Sequence, residues 1–450
     1  MADVSIIGGG LSGCETAFQA ADHGLLVDLY EMRPFAMSAA HQTEYLAELV
    51  CSNSLGSQLP TRPTGLLMQE LEKLNCRLLA IAKSCQVPAG HALAIDRLNF
   101  ARKVTKAVSD HPNIKLIRRE MSSLPEGVVV IASGPLTSEP LADLIKTLTG
   151  VENLFFFDAV APIIEFGSIN MDIAFWGSRY GRGNRETGDY INCPFDQKTY
   201  DMFIDELIHA QRIQLKEFER DINNGVNTGK SKFFEACLPI EVMARRGEHT
   251  LAFGPLRPVG LTNPHRTDRP YAVVQLRQDD ISGETYNLVG FQTNLTYSEQ
   301  KRVFRMIPGL EFAEFVRYGQ MHRNTYIFTP GVLNDCFQLI SDERLHFCGQ
   351  ITGVEGYLSN IASGLFTGIN LAKQIKSQPP IHFPDTTMIG ALFNFVTRAD
   401  IDIFQPMKPN FGLLPPLEKP VKSKKDRFEA HVLRAQADME TFLNEHGKNI

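Results

Sequence analysis

The sequence predicts an α/β fold: a Rossmann-like domain, discontinuous in the chain, with an α+β domain inserted into it. Two strand–glycine–helix units far apart in the sequence carry the first expectation. One is VSIIGGG followed by LSGCETAFQAADHG; the other starts at His346 with HFCGQITGVEGYLSNIASGLFTGINLAKQI. A change of character between them carries the second. Residues 151–329 mix aromatic strand-like runs with basic loops rich in glycine and proline.

The apolar run Val4–Ile7 reads as a strand that enters Gly8-x-Gly10-x-x-Gly13. A helical pattern continues to about Ala21, and a second apolar run, LLVDLYE, ends at Glu31. In this context Gly8 permits the tight turn and Gly10 lets the backbone approach a pyrophosphate. Gly13 lets the helix pack on the strand, and Gly9 lies inside the same turn. The helix start offers free N–H groups to phosphate. Glu31, eighteen residues after Gly13, is placed to bind a ribose hydroxyl, and an acid there disfavours a 2′-phosphate.

Such a fingerprint suits FAD at least as well as NAD, and two more stretches point to FAD. Residues 127–134, GVVVIASG, read as a buried strand ending in small residues at Gly134. Leu345–Cys348 reads as a short strand, Gly349 and Gly353 as a tight turn, and Ser359–Ile375 as a helix rich in small residues. A return of this kind, which also contains Tyr357, caps the flavin ring and ribityl chain in two-part flavoproteins. If both units face one ligand, residues 1–150 and 330–420 form an FAD-binding domain of the glutathione-reductase type. Residues 151–329 are then the insertion. Residues 421–450 read as a tail, basic at first and then an amphipathic helix.

Within the insertion, LFFFDAVAPII, MDIAFWGSRYG, YAVVQLRQ and YNLVGFQT read as strands, and a charged helix is expected from about Asp196 to Asn223. From Lys230 to Arg277 there are eight Lys/Arg and four acids, a local balance of +4 in a chain of net charge −6. Arg179, Arg182 and Arg185 cluster in SRYGRGNRETG, and the loops also carry Tyr180, Tyr190 and His265. Guanidinium forks suit phosphate and aromatic faces suit unstacked bases, so an anionic partner is expected on these loops.

The chain has 450 residues, 43% hydrophobic and 21% charged, enough for two or three domains with large cores. The net charge argues against a protein coated in basic surface, though not against a local patch. No run approaches the roughly 18 apolar residues of a membrane helix. MADVSIIGGG has no basic region before an apolar run and no cleavage site, so no signal peptide is expected and a cytoplasmic location is. The eight cysteines are scattered, without CxxC pairs or Cys/His metal spacing, and read as reduced thiols.

Two of them stand out. Cys51 lies in ELVCSNSLGS, a polar, turn-like setting, and Cys237 in FFEACLPIE, near Arg and Lys. A thiol beside cations is biased towards thiolate, the nucleophilic form, and by that test Cys237 is the better candidate. Cys51 gains the same bias if Ser52 or Asn53 caps a short helix.

In order along the chain, VSIIGGGLSGCETA, YEMRP, ELVCSNSLGS, PAGHALAIDR, SGPLTS, FFDAVAPII, DYINCPF, CLPIEVMARRG, GPLRPVGL and GQITGVEGYLSNIASG closely resemble the TrmFO family of folate- and FAD-dependent tRNA uracil-5-methyltransferases. The resemblance runs from Met1 to about Gln374; one departure is EACLPIE, where a glycine is expected before the cysteine. It implies FAD, NAD(P)H and 5,10-methylenetetrahydrofolate as cofactors and a T-loop uridine of tRNA as target. It also implies that a thiolate adds to uracil C6 and makes C5 nucleophilic. Reduced flavin passes the folate methylene to C5, a base removes the C5 proton, and flavin hydride completes the methyl group. Cys51 and Cys237 match the family's catalytic pair: Cys237 as nucleophile and Cys51 as proton abstractor, with the reverse division open. Arg179, Arg182, Arg245, Arg246 and Arg266 are the expected RNA contacts. Alternatives are the same chemistry on a ribosomal RNA uridine, a GidA-like wobble-uridine enzyme, a flavin oxidoreductase acting on a small molecule, and a non-catalytic RNA-binding flavoprotein.

Overall fold

The computed structural model describes residues 2–38, 40–150, 154–183, 185–213, 238–266, 268–400 and 404–447. The chain opens with β1 (Val4–Ile7), α1 (Leu11–Asp22) and β2 (Val27–Glu31). Next come β3 (Ser54–Ser57), α2 (Pro63–Lys73), α3 (Arg77–Lys83), β4 (Gln86–Val87) and β5 (Ala92–Ile95). The first segment closes with α4 (Arg97–Ser109), β6 (Ile114–Arg118), β7 (Val128–Ile131) and α5 (Glu139–Thr149).

The middle segment holds β8 (Leu154–Ala159), β9 (Ile163–Glu165), β10 (Phe175–Gly177), β11 (Tyr190–Phe195) and α6 (Gln197–His209). It continues through α7 (Ile240–Ala244), α8 (Thr250–Phe253), β12 (Ala272–Gln278) and β13 (Thr285–Leu288). It ends with α9 (Tyr297–Phe304), β14 (Phe315–Arg317) and β15 (Met321–Tyr326). The return consists of β16 (Leu345–Phe347), α10 (Tyr357–Ile375), α11 (Met388–Arg398) and α12 (Lys424–His446).

Five parallel strands in the order β16-β7-β1-β2-β6 form one sheet. The returning β16 thus pairs beside β7, as a chain that comes back to its starting domain must. Helix α1 is buried along nearly its whole length because α10 lies directly on it. Gly364 makes that approach possible: a Cβ there would overlap the Ser12 carbonyl. The Thr16 hydroxyl donates to the Gly364 carbonyl at 3.1 Å. The small residues of the return are therefore a packing device.

The middle segment forms a six-stranded sheet, β10-β11-β12-β13-β9-β14, with antiparallel neighbours. Its buried apolar side chains form a cluster of their own between Ala161 and Ala313. The larger cluster draws on Val4–Ile145 and Ile327–Phe442. The chain passes between the two along one antiparallel ladder, β8 with β15, in register from Leu154↔Tyr326 to Ala159↔Met321.

Two expectations are corrected. The charged helix expected from Asp196 to Asn223 does not continue past His209 into residues 210–213, and residues 214–223 lie outside the described residues. Asp196 caps it, accepting the Thr199 N–H at 2.8 Å, but it ends at His209, because Arg212 bridges to Leu295 and Ile213 N–H donates to the Asn294 carbonyl. The return helix starts at Tyr357, two residues before Ser359, where Gly356 (φ +94°) finishes the turn.

The C-terminal α12 buries Val432, Ala435, Met439 and Phe442 in the larger cluster. Lys73 and Glu440 pair at 2.9 Å on its surface. Among the described residues no helix is long and apolar enough to cross a membrane, and no His, Cys, Asp or Glu cluster could hold a metal.

Candidate active site

A cavity of about 340 Å³ runs along the C-terminal ends of β1, β2 and β7 and is also lined by Gln292 and Asn324 of the middle segment. That is where an open α/β sheet places its ligands. Its floor is Gly8–Ser12; Glu31, Ser133–Ser138, Gln350, Glu355–Tyr357 and Lys408 form the walls, and Cys51 and Ser52 stand at one end. Gly8 has φ +114°, and a Cβ there would meet the Ala132 carbonyl oxygen at 2.5 Å. Gly10 has open space where a side chain would project, so its backbone faces the cavity bare. A Cβ on Gly13 would overlap the Gly8 carbonyl, so the first turn of α1 can lie this close to the glycine turn only with glycine at 13.

Glu31 lines the cavity and is almost fully buried. Its carboxylate accepts the Gly9 N–H at 3.0 Å, so Gly9 is tied to the acid. Arg33 donates to Glu31 from Nε (2.9 Å) and Nη2 (3.2 Å), and to Glu48 from Nη1 (3.2 Å). Burial opposes the Glu31 charge, but the Arg33 bonds and charge outweigh it and hold the carboxyl below its ordinary value. Arg33, with both carboxylates on it, is engaged rather than offered to a 2′-phosphate.

Gly134 (φ +67°) lies three residues after β7, in the cavity wall. Gly349 and Gly353 (both φ +82°) shape the return turn from behind: side chains there would meet Ser12 and Phe404. The return lines the cavity with Gln350, Glu355, Gly356, Tyr357 and Asn360 instead. Asn324, from β15, is another wall residue, and both ends of its buried amide lack a hydrogen-bond partner; so does the Asn360 carbonyl oxygen. Buried polar groups are ordinarily paired. These orphans, the bare glycine turn and the buried acid fit a polar, multi-ring ligand such as FAD.

The segment leading to Cys51 is tied to the glycine turn by Ala47, whose N–H donates to the Gly9 carbonyl at 2.9 Å. Cys51 itself is half-buried. The Tyr357 hydroxyl oxygen accepts its N–H at 2.7 Å and that of Ser52 at 3.2 Å. Burial, followed by the charge at Cys51, pushes the Tyr357 phenol up, so it stays neutral.

The condition of a short helix capped by Ser52 or Asn53 is not met. Residues 54–57 form β3, and the Ser52 hydroxyl accepts the Ser54 N–H (3.1 Å) and Arg277 Nη2 (2.8 Å). The cations near this thiol are Arg97, which the sequence did not mark, and Arg277, which it counted in the basic span but did not pair with Cys51. Arg97 donates to Asp279 Oδ1 from Nε (3.0 Å) and Nη2 (2.9 Å), and to the Leu49 carbonyl from Nη1 (3.2 Å). Burial works against its charge; Asp279, Tyr357 and Cys51 are among the groups that raise it.

Cys237 lies outside the described residues. The chain that resumes at Leu238 is anchored where the Ile240 N–H donates to the Gln292 carbonyl at 2.7 Å, and Gln292 lines the same cavity. Arg179 spends its guanidinium on the Arg257 and Val259 carbonyls (2.6 and 2.9 Å) and on Gln275 (2.9 Å). Arg182 stacks over Tyr180 with 5.5 Å to the ring centroid. Arg245 donates to the Ile208 carbonyl at 2.8 Å, and Arg246 is exposed beside it. Arg266, with Arg269, Asp196 and Asp268, lines a second hollow of about 270 Å³.

The chain matches the family model described as Glucose inhibited division protein A over residues 3–379. It is 49% identical over 440 residues to the methylenetetrahydrofolate–tRNA-(uracil-5-)-methyltransferase TrmFO of Halalkalibacterium halodurans, with 98% of each chain covered. To the protein of the same name from Natranaerobius thermophilus it is 51% identical over 434 residues (96% and 97% covered). To that from Persephonella marina it is 48% identical over 447 residues (99% of each). Among solved structures, Aquifex aeolicus GidA superposes with a TM-score of 0.66 at 15% identity, covering 98% of this chain and 73% of that one. That likeness is one of fold.

Proposed function

This chain belongs to the glucose inhibited division protein A family and, within it, to the TrmFO group, and we infer that it methylates C5 of a tRNA uridine. Methylenetetrahydrofolate is the carbon donor, FAD the bound cofactor and NAD(P)H the reductant. One observation carries the reading to this chain's own residues: the thiol of Cys51 stands at the end of the dinucleotide-type cavity, bound through its backbone to Tyr357. Similarity over nearly the full length to tRNA (uracil-5-)-methyltransferases disfavours the ribosomal RNA and wobble-uridine alternatives.

Gly8, Gly9, Gly10, Gly13, Glu31 and Gly134 hold or shape the dinucleotide half of the cofactor site. Gly349, Gly353 and Tyr357 do the same for the flavin half. When bound, FAD supplies one-carbon carriage and hydride, the hard chemistry that side chains cannot perform. The thiolate of Cys237 adds to uracil C6 and raises electron density at C5. After carbon transfer Cys51 takes the C5 proton, and loss of the C6–S bond returns Cys237. The two cations beside Cys51 favour its ionised form, which also suits the reverse division of roles.

The target base must leave its stack to reach the cavity, which costs a few kcal/mol. We propose that Arg182, Arg245, Arg246 and Arg266 offset this through phosphate contacts, while Arg179 holds the Arg257 and Val259 carbonyls instead of a phosphate. We place the enzyme in the cytoplasm with its RNA.

The test uses unmodified tRNA transcript, NAD(P)H and methylenetetrahydrofolate, with 5-methyluridine mapped by mass spectrometry. Methylation of the T-loop uridine that disappears in both Cys51→Ala and Cys237→Ala supports enzyme, substrate and thiol pair together. A flavin-loaded protein that leaves tRNA unmethylated overturns the substrate assignment.

A further inference from the structure

The segment that carries Cys51 is held from two directions, and one of them is the middle segment of the chain. On the near side lies Tyr357, described above. On the far side stand the end of strand β12, with Arg277 and Gln278, and Asp279 directly after it. Arg277 Nη2 donates to the Ser52 hydroxyl (2.8 Å), Asp279 receives Arg97, and between them the Gln278 carbonyl accepts Asn53 Nδ2 (2.9 Å). Residues 49, 52 and 53 are thus held through contacts that involve the insertion.

The two guanidinium groups differ in one respect. Arg97 has its charge met by Asp279 at 2.9 Å. Arg277 has no carboxylate within ion-pair distance among the described residues, and its Nε is buried without a hydrogen-bond partner. A guanidinium stays protonated even when buried, so an uncompensated positive charge sits beside the Cys51 segment. The other charged or titratable groups around it do not supply that balance. Glu48 is bound by Arg33, and Arg317 of β14 adds a second cation that donates to the Ala40 carbonyl at 3.1 Å. Tyr190 of β11 donates its hydroxyl proton to the Ala89 carbonyl, and the Tyr357 phenol is neutral.

We propose that Arg277, supplied by the insertion, is the cation that holds Cys51 as a thiolate, so that this thiol becomes reactive only where the two domains meet. The thiol proton passes to solvent, and no oxidant or further reagent is needed. Burial pulls the Arg277 charge down most; Tyr190, then Asp279 and last Cys51 raise it, and Arg97 lowers it. The inference rests on the reading of Cys51 as a catalytic thiol and goes beyond it by naming what ionises that thiol.

The experiment is the rate of iodoacetamide alkylation at Cys51, followed by peptide mass spectrometry on the full-length flavoprotein between about pH 5.5 and 9.5. No RNA or folate is present. The wild-type midpoint is expected below the roughly 8.5 of a free cysteine. Arg277→Gln should raise it by about one pH unit and slow alkylation near pH 7 by about tenfold. Arg277→Lys, which keeps the charge, should restore most of the rate. Ser52→Ala, which removes the hydrogen bond and leaves the charge, should keep the wild-type midpoint. Arg277→Met fills the same space and stands in should Arg277→Gln fail to fold.

A neutral variant with the wild-type midpoint overturns the proposal. So does Ser52→Ala reproducing the shift, which would make Arg277 a positioning residue for the loop. Loss of methylation with an unmoved alkylation profile overturns the proposal and leaves the catalytic reading standing. The expected shift in a protein that methylates no RNA does the reverse.

Discussion

Replacing Asp279 by Asn tests how firmly the insertion is clamped to the first domain. Asp279 and Arg97 are each only 8% exposed, and Asp279 Oδ1 takes two guanidinium bonds at 2.9 and 3.0 Å. With charge centres about 4 Å apart and an effective dielectric near 20, the attraction is about 4 kcal/mol. Removing Asp279 leaves the Arg97 charge buried with the Leu49 carbonyl as its remaining hydrogen bond, and stranding a buried charge ordinarily costs about 3–5 kcal/mol. Asp279→Asn should therefore lose about 3–4 kcal/mol in urea unfolding followed by circular dichroism. Arg97→Met should lose a similar amount. The double variant Arg97→Met/Asp279→Leu should lose far less than the sum, because no charge is stranded. A single substitution losing under about 1 kcal/mol, or two that simply add, would refute the reasoning. A second readout is local: backbone exchange at residues 49–53 should quicken in Asp279→Asn, since Arg97 holds the Leu49 carbonyl.

Three more outcomes are expected. Glu70 accepts the Met388 and Ile389 N–H groups at 2.8 and 2.9 Å, yet burial raises its carboxyl from 4.5 to about 7. Its contribution to stability is therefore full below about pH 4.5 and is lost as pH rises through about 7; relative to Glu70→Gln, wild type should lose up to about 3 kcal/mol across that window, and parallel stability curves would count against it. Gly13→Ala places a methyl group on the Gly8 carbonyl, so purified protein should carry less than about a tenth of the wild-type flavin absorbance; normal flavin content would contradict the geometry. Combined Arg182→Gln, Arg246→Gln and Arg266→Gln should weaken tRNA binding and flatten the slope of log K against log salt by about 2–3, whereas an unchanged slope would move the RNA surface elsewhere.

What the sequence disclosed was what is local in it. Gly8, Gly10, Gly13 and Glu31 lie within one strand–helix–strand unit, and the need for a bare turn is written in their spacing. The return after Leu345 was legible for the same reason. The surroundings of Cys51 were not, because they come from far away: Tyr357 lies 306 positions on, and Arg277 reaches Ser52 across 225. No periodicity relates such residues; only the folded sheet order does. The polar pattern after Asp196 promised a long helix because nothing in it signals that Arg212 will pair with Leu295. Arg179 looked like a phosphate fork, and its donors are spent on two carbonyls, a task that composition alone does not separate from the other.

The ladder of β8 with β15 has a consequence for how such a protein could arise. The chain departs and comes back through neighbouring strands, with Ala159 opposite Met321, so a tight turn between those two residues would close the ribbon as a plain hairpin. Ancestry by cassette is then simple: a flavin-binding module can acquire, exchange or lose its passenger at one seam without disturbing the order of its own sheet. The seam is permissive, but the far edge is not. A new passenger would still have to bring its own counterparts to Ser52, Asn53 and Arg97, so inheritance of the chemistry travels with a handful of residues on one strand of the guest.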